Sequence, residues 1–162
     1  MWLLAGIATV LLVALDHITK YLALVKLKPI GNIEVAKGFF DFTFVENRGA
    51  AFGILSGQIV FFIILTVVVG AIIIYFFGKL PKSKEYTWVR IALVLVFSGA
   101  IGNAIDRAIR GYVVDFLEFT LIRWPVFNVA DIYVVMGTAL LVILLLFVIK
   151  EEPQTKMPNK KQ

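Results

Sequence analysis

Cysteine is absent from this 162-residue chain, and histidine occurs once, at His17. The first absence removes disulfides, thiol nucleophiles and zinc–thiolate sites together. The second removes a His-Glu-x-x-His metalloprotease motif, which needs two histidines. His17 lies beside Asp16 near the expected end of a helix, where an interfacial, non-catalytic role suits it. Charge is sparse as well, at 17% of residues, and no internal repeat is visible.

What is present is apolar. Hydrophobic residues make up 60% of the chain and mean hydropathy is +0.93. Four long runs stand out: Trp2 past Asp16 and Lys20 towards Val25, Ile54 to Phe77, Trp88 to Ile105, and about Val126 to Ile149. Each approaches the roughly 20 residues that cross a bilayer core of about 30 Å. Unpaired backbone groups are not tolerated in lipid, so the runs are expected as helices. A soluble protein of this length would have to bury all four in a core too small to hold them. The first run lacks a basic leading segment and a small-x-small site before Asp16, so it is expected to remain as a helix. The pattern predicts an all-α membrane protein with four transmembrane helices and a single domain over 1–150. A basic tail over 151–162 is expected to be disordered and cytoplasmic.

Four spans put both termini on one side. The short loop Gly78–Thr87 carries Lys79, Lys82 and Lys84, and the tail carries Lys150, Lys156, Lys160 and Lys161. The opposite side also has basic residues, among them Lys26, Lys28, Lys37, Arg48, Arg107, Arg110 and Arg123, but over longer segments and partly beside acids. The positive-inside rule therefore predicts both termini in the cytoplasm. Anionic lipid headgroups account for the net charge of +5, and no nucleic acid is required. On the outer side, Phe40-Asp41-Phe42-Thr43-Phe44 has strand character and suits pairing with Asn32–Val35. Tyr112–Leu117 is also extended in character. A small extracytoplasmic β-rich element is expected there.

Under this topology four separate stretches bring polar residues to one depth. These are Asp16 and Lys20, the segment around Asn47, the group Asn103, Asp106 and Arg107, and the pair Asn128 and Asp131. Charged residues in a bilayer are expensive and mark function by default. Ser98, Gly99, Gly102, Asn103 and Asp106 share a helix face, as Asn128, Asp131, Val135 and Thr138 are expected to do. For the glycines and Ser98, helix packing is the plainer role. Asp16 and Lys20, four apart, suit an ion pair. Asp106 adjoins Arg107, a cation that would keep it ionised. Both acids read as scaffold.

Asp115 and Asp131 have no adjacent cation and lie among apolar neighbours, Val114 and Phe116, Ala130 and Ile132. Loss of water disfavours their charged form, and two such acids at one site can share a proton. One would then draw a proton from water while the other donates to an attacked carbonyl. Spacing alone leaves open whether the two meet. A serine/lysine membrane protease built on Ser56 and Lys20 is an alternative, and rhomboid-like chemistry is weakened by the absence of Gly-x-Ser-x-Gly. A small ion-coupled transporter would also use membrane carboxylates, but such sites sit near the midplane between repeated halves. A purely structural subunit would not need two apolar-flanked acids beside several asparagines.

Five blocks carry a family resemblance: Asp16-His17-Ile18-Thr19-Lys20, Asn47-Arg48-Gly49-Ala50-Ala51-Phe52-Gly53, Gly99 to Arg107, Val113-Val114-Asp115-Phe116 and Phe127-Asn128-Val129-Ala130-Asp131. In that order the chain resembles the lipoprotein signal peptidases, the signal peptidase II family of bacteria. The resemblance implies an aspartyl endopeptidase of the cytoplasmic membrane that removes signal peptides from prolipoproteins, cutting before a diacylglyceryl-modified cysteine. It implies Asp115 and Asp131 as the catalytic pair. Asn47, Asn103, Arg107 and Asn128 would be substrate- or aspartate-orienting residues, with Asp16, Lys20 and Asp106 in support. It further implies a β-cradle and a mobile helix outside the membrane, fitting the Ile33–Val45 and Tyr112–Trp124 stretches, and inhibition by globomycin-type cyclic peptides. The expected partners are the lipidated precursor and membrane lipids, with a monomer sufficient. No cofactor or metal is implied, since two carboxylates and water suffice.

Overall fold

The structure, a computed structural model, describes residues 1–49, 54–122 and 124–148, apart from the Glu85 and Val148 side chains. The expected tail over 151–162, the Ala50–Gly53 part of the second motif and Arg123 lie outside the described residues.

Helix α1 spans Trp2–Leu22 and continues as a π-helical turn, Ala23–Leu27. Strands β1, Asn32–Ala36, and β2, Phe40–Asn47, follow. Next come α2, Ile59–Lys79, and α3, Lys84–Arg110. Strand β3, Val113–Glu118, leads through a short 3-10 turn, Thr120–Ile122, to α4, Val129–Ile143, with a last π-helical turn at Leu144–Val148. Among the described residues, four helical stretches are long and apolar enough to cross a membrane: Trp2–Leu27, Ile59–Lys79, Tyr86–Arg110 and Val129–Phe147. Their outward faces are largely exposed Leu, Ile, Val and Phe, as lipid contact requires.

Helix α3 is the central post and packs on α1, α2 and α4. Small residues let it approach α4 closely. A Cβ on Gly99 would stand 2.3 Å from the Ala130 carbonyl oxygen, and one on Gly102 would stand 2.6 Å from Asp16 Oδ2. Such contacts replace the hydrophobic drive that lipid does not supply. At one end of the bundle Trp2 packs against Phe77, ring centroids 4.6 Å apart. There Arg90 donates to the carbonyls of Leu80 and Pro81 at 2.7 and 2.9 Å. The start of α1, the end of α2 and the start of α3 therefore share that end.

The opposite end carries a three-stranded antiparallel sheet ordered β1-β2-β3, with Ile33 opposite Phe42 and Val45 opposite Asp115. A register shift between Phe42 and Val45 adds a residue to β2 and re-aims its last turn of chain. Val114 and Phe116 face Ala23 and Leu27 at the end of α1, forming a small core beneath the sheet. The outer edge of β3 is closed by Phe127, which exchanges backbone hydrogen bonds with Leu117.

Some expectations need correction. Helix α2 starts at Ile59 rather than Ile54, because Leu55 and Gly57 take positive φ (56° and 84°) and turn the chain before it. Helix α3 is longer than its apolar run at both ends. On α4, Val135 and Thr138 turn outward, and Ala130, Val134 and Gly137 meet α3 instead. The expected strands lie at Asn32–Ala36 and Phe40–Asn47, joined by a turn, and at Val113–Glu118. Among the described residues of those stretches and their continuation to Trp124, the Thr120–Ile122 turn is the only helical piece.

Candidate active site

The sequence-predicted polar residues meet at the sheet end of the bundle. Asn128 is the N-cap of α4: its side-chain oxygen accepts from the Asp131 backbone N–H at 3.0 Å, and Asp131 Oδ2 accepts from the Asn128 N–H at 3.1 Å. This reciprocal cap satisfies two helix-end donors and fixes both side chains. Because Phe127 is pinned to Leu117 on β3, the next residue, Asn128, lands beside Asp115. Its Nδ2 donates to Asp115 Oδ1 at 2.6 Å. One asparagine thus bonds both carboxylates.

Two further asparagines complete the arrangement. Asn47, diagonal to Asp115 across the β2–β3 pair, donates to Asp115 Oδ2 at 2.8 Å. Its own oxygen accepts from the Gly49 N–H at 2.9 Å. Asn103 on α3 donates to Asp131 Oδ1 at 2.7 Å, while its oxygen accepts from Lys20 Nζ at 2.8 Å and from Asn128 Nδ2 at 3.1 Å. Each asparagine therefore has its oxygen occupied and its NH2 aimed at a carboxylate.

Asp115 is 1% exposed, whereas Asp131 is partly exposed. Burial pushes the Asp115 carboxyl up to about 7, and the nearby Asp131 charge adds to the rise. The hydrogen bonds from Asn47 and Asn128 and the charge of Lys20 pull it the other way, by less. At neutral pH Asp115 is thus close to the midpoint of its titration.

Behind the pair lies a buried ion network. Lys20 Nζ is 2.9 Å from Asp16 Oδ2 and 3.2 Å from Asp106 Oδ2, and all three side chains are fully buried. Asp16 Oδ1 accepts from the Ala130 N–H in the first turn of α4 at 2.9 Å, tying α1 to α4. Asp106 Oδ2 also accepts from the Val114 N–H at 3.1 Å. Its other oxygen pairs with Arg110, and His17 Nδ1 lies 3.9 Å away. Arg107 is not its partner, contrary to the sequence expectation, because neighbours in sequence point to different faces of a helix. Arg107 instead donates to the Gly49 carbonyl at 2.9 Å, with its guanidinium 4.5 Å from the Phe62 ring centre on α2. It pins the end of β2 to the bundle.

Sequence reasoning assigned no role to Arg110, Phe62 or Phe127. Only Arg110 left a signal, its i+4 spacing from Asp106. Ser56 is exposed in the turn before α2, and Lys20 is engaged with two carboxylates, which leaves the serine/lysine alternative without a free base. Among the described residues, no three His, Cys, Asp or Glu side chains gather as a metal site would require.

Known proteins share this sequence pattern and this fold. A family profile described as signal peptidase (SPase) II matches residues 8–147. The lipoprotein signal peptidase of Caldanaerobacter subterraneus subsp. tengcongensis is 48% identical over 144 residues, covering 89% of this chain and 97% of that protein. That of Clostridium acetobutylicum is 47% identical over 135 residues, covering 81% and 86%. Among solved structures, a bacterial membrane enzyme superposes with a TM-score of 0.82 at 35% identity, over 95% of this chain and 94% of its own. Another gives 0.78 at 37% identity, over 90% and 94%.

Proposed function

This chain belongs to the signal peptidase II family of bacterial membrane proteases, which remove signal peptides from prolipoproteins, and on that premise we propose that Asp115 and Asp131 cut the bond as an aspartyl pair. The observation that carries the proposal is the bridging of both carboxylates by Asn128, with Asn47 and Asn103 donating from either side. The pair shares one proton, and Asp115, the less exposed acid, delivers it in the step drawn here. Asp131, partly exposed at the start of α4, takes a proton from the attacking water. Asp115 then protonates the carbonyl oxygen, and the leaving amine receives a proton as the tetrahedral intermediate collapses. The scissile carbonyl reaches Asp115 only after the groups that cover it shift. Titration belongs to the pair and not to either acid.

The substrate is a prolipoprotein whose cysteine after the cut carries a diacylglyceryl group. That lipid holds the bond at the membrane surface, the depth at which four polar stretches converge. The lysines of the α2–α3 loop lie at the other end of the bundle, which supports cytoplasmic termini and an active site near the outer leaflet. Asn47, Asn103, Arg107 and Asn128 orient the acids and substrate. Asp16, Lys20 and Asp106 join α1, α3 and α4 behind them.

The test is cleavage of a diacylglyceryl-modified prolipoprotein by purified wild-type, Asp115→Asn and Asp131→Asn proteins in detergent. Both folded variants are expected to lose cleavage; activity retained by either breaks the pair. Equal rates on lipidated and unlipidated precursors would remove the lipid from the specificity argument. Ser56→Ala is expected to cleave normally.

A further inference from the structure

We infer that Lys20 is a positioning residue for the reaction: its ammonium fixes which way the Asn103 amide faces, and so determines that Asp131 receives a hydrogen-bond donor. The inference deepens the aspartyl reading above and rests on it. An amide in a buried site has two orientations, oxygen and NH2 exchanged, and only one suits a carboxylate neighbour. Opposite Asp131, the wrong orientation would set an oxygen against an oxygen. Asn47 and Asn128 are oriented by backbone N–H groups, those of Gly49 and Asp131, which offer a donor and nothing else. Among the described residues, Asn103 has no backbone clamp of that kind. Its oxygen is held by Lys20 Nζ at 2.8 Å and by Asn128 Nδ2 at 3.1 Å, which leaves its NH2 to meet Asp131 Oδ1 at 2.7 Å.

The ammonium suits this task because it carries three donors and no acceptor. It forms ion pairs with Asp16 and Asp106 and donates a hydrogen bond to Asn103. Its charge is compensated locally by the two carboxylates, so the side chain has no reason to leave. The chain therefore runs from a scaffold ion network, through one amide, to a reacting carboxylate. Lys20 makes no hydrogen bond to Asp131 or Asp115; its charge acts on both through space, and its hydrogen-bonding influence on Asp131 passes through Asn103.

A double-mutant cycle on kcat tests this. Lys20→Met alone would strand two buried carboxylates, so it is paired with Asp16→Asn, which keeps the local charge balanced while Arg110 still serves Asp106. With wild-type Asn103, the pair is expected to lower kcat about ten- to a hundredfold with KM little changed, the range spanned by one hydrogen bond to a charged group. In an Asn103→Ala background, the same pair is expected to lower kcat by several-fold less, since only the through-space effect of the Lys20 charge remains to be lost. Lys20→Gln, which keeps an N–H donor, should recover part of the loss, and it carries the same comparison if the pair does not fold. Equal losses in both backgrounds would overturn the inference and leave Lys20 as scaffold alone. Asp131→Asn separates the two failures. If that variant still cleaves, the aspartyl reading falls and this inference with it; if it is inactive while the losses multiply, only the positioning role falls.

Discussion

At the scale of single residues, Asp115 carries a pH signature. Its folded carboxyl is raised from 3.8 to about 7, so between those values the folded chain holds a proton that the unfolded chain has released. Stability therefore falls as pH rises through that window. The melting temperature in detergent is expected to drop from pH 4 to pH 8, and Asp115→Asn is expected to flatten that slope. Cleavage should decline above about 7 as the shared proton is lost, which a pH–rate profile will show. The two arginines at the end of α3 should separate in the same assays. Arg110→Ala removes a partner of fully buried Asp106 and is expected to lower stability by about 1.5–3 kcal/mol in a denaturant titration. Arg107→Ala leaves that network intact but frees Gly49, so its main effect is expected on cleavage rate. Asp115 and Asp131 stand out in the sequence because apolar neighbours give a carboxylate no ordinary structural task, but that they meet through Asn128 is visible only in the fold. The partner of Asp106 was misread because adjacency in sequence stood in for adjacency on a helix.

At the scale of elements, the contact between α3 and α4 decides whether the site assembles. Gly99→Ala forces a methyl against the Ala130 carbonyl, one residue from Asp131, and is expected to destabilise by about 1–3 kcal/mol and to reduce cleavage. Gly6→Ala is the matched control: a Cβ there meets nothing within 4 Å, and an alanine in the middle of α1 is expected to be neutral or slightly stabilising. Melting curves of the two proteins check the pair. Hydropathy gave the existence of all four helices but misplaced the start of α2, since a scale of side chains does not register the left-handed backbone at Leu55 and Gly57. It also stopped α3 short, because the charged residues at its ends are helical without being apolar. The outward turn of Val135 and Thr138 escaped notice because many α4 residues are apolar, and composition alone does not choose its inner face.

At the scale of the whole molecule, the claim to test is which end faces the cytoplasm. The chain has no cysteine, so single cysteines report without background. Lys37→Cys, in the turn between β1 and β2, is expected to react with an impermeant maleimide in intact cells. Lys82→Cys, in the α2–α3 loop, should react only after permeabilisation. The reverse pattern would invert the topology. Sequence reasoning placed the convergence at one end correctly because α1, α3 and α4 carry their polar residues near that end, and Asn47 and Asp115 lie in segments joined to it. What it had no means to supply was the wiring between them, since hydrogen-bond direction follows from three-dimensional packing. That wiring bears on how the protein ages. Each of the three asparagines presents an NH2 to an aspartate, and hydrolysis of any one amide would set a carboxylate against a carboxylate. The working lifetime of the enzyme is then bounded by the least durable of those three side chains, however firmly the helices around them hold.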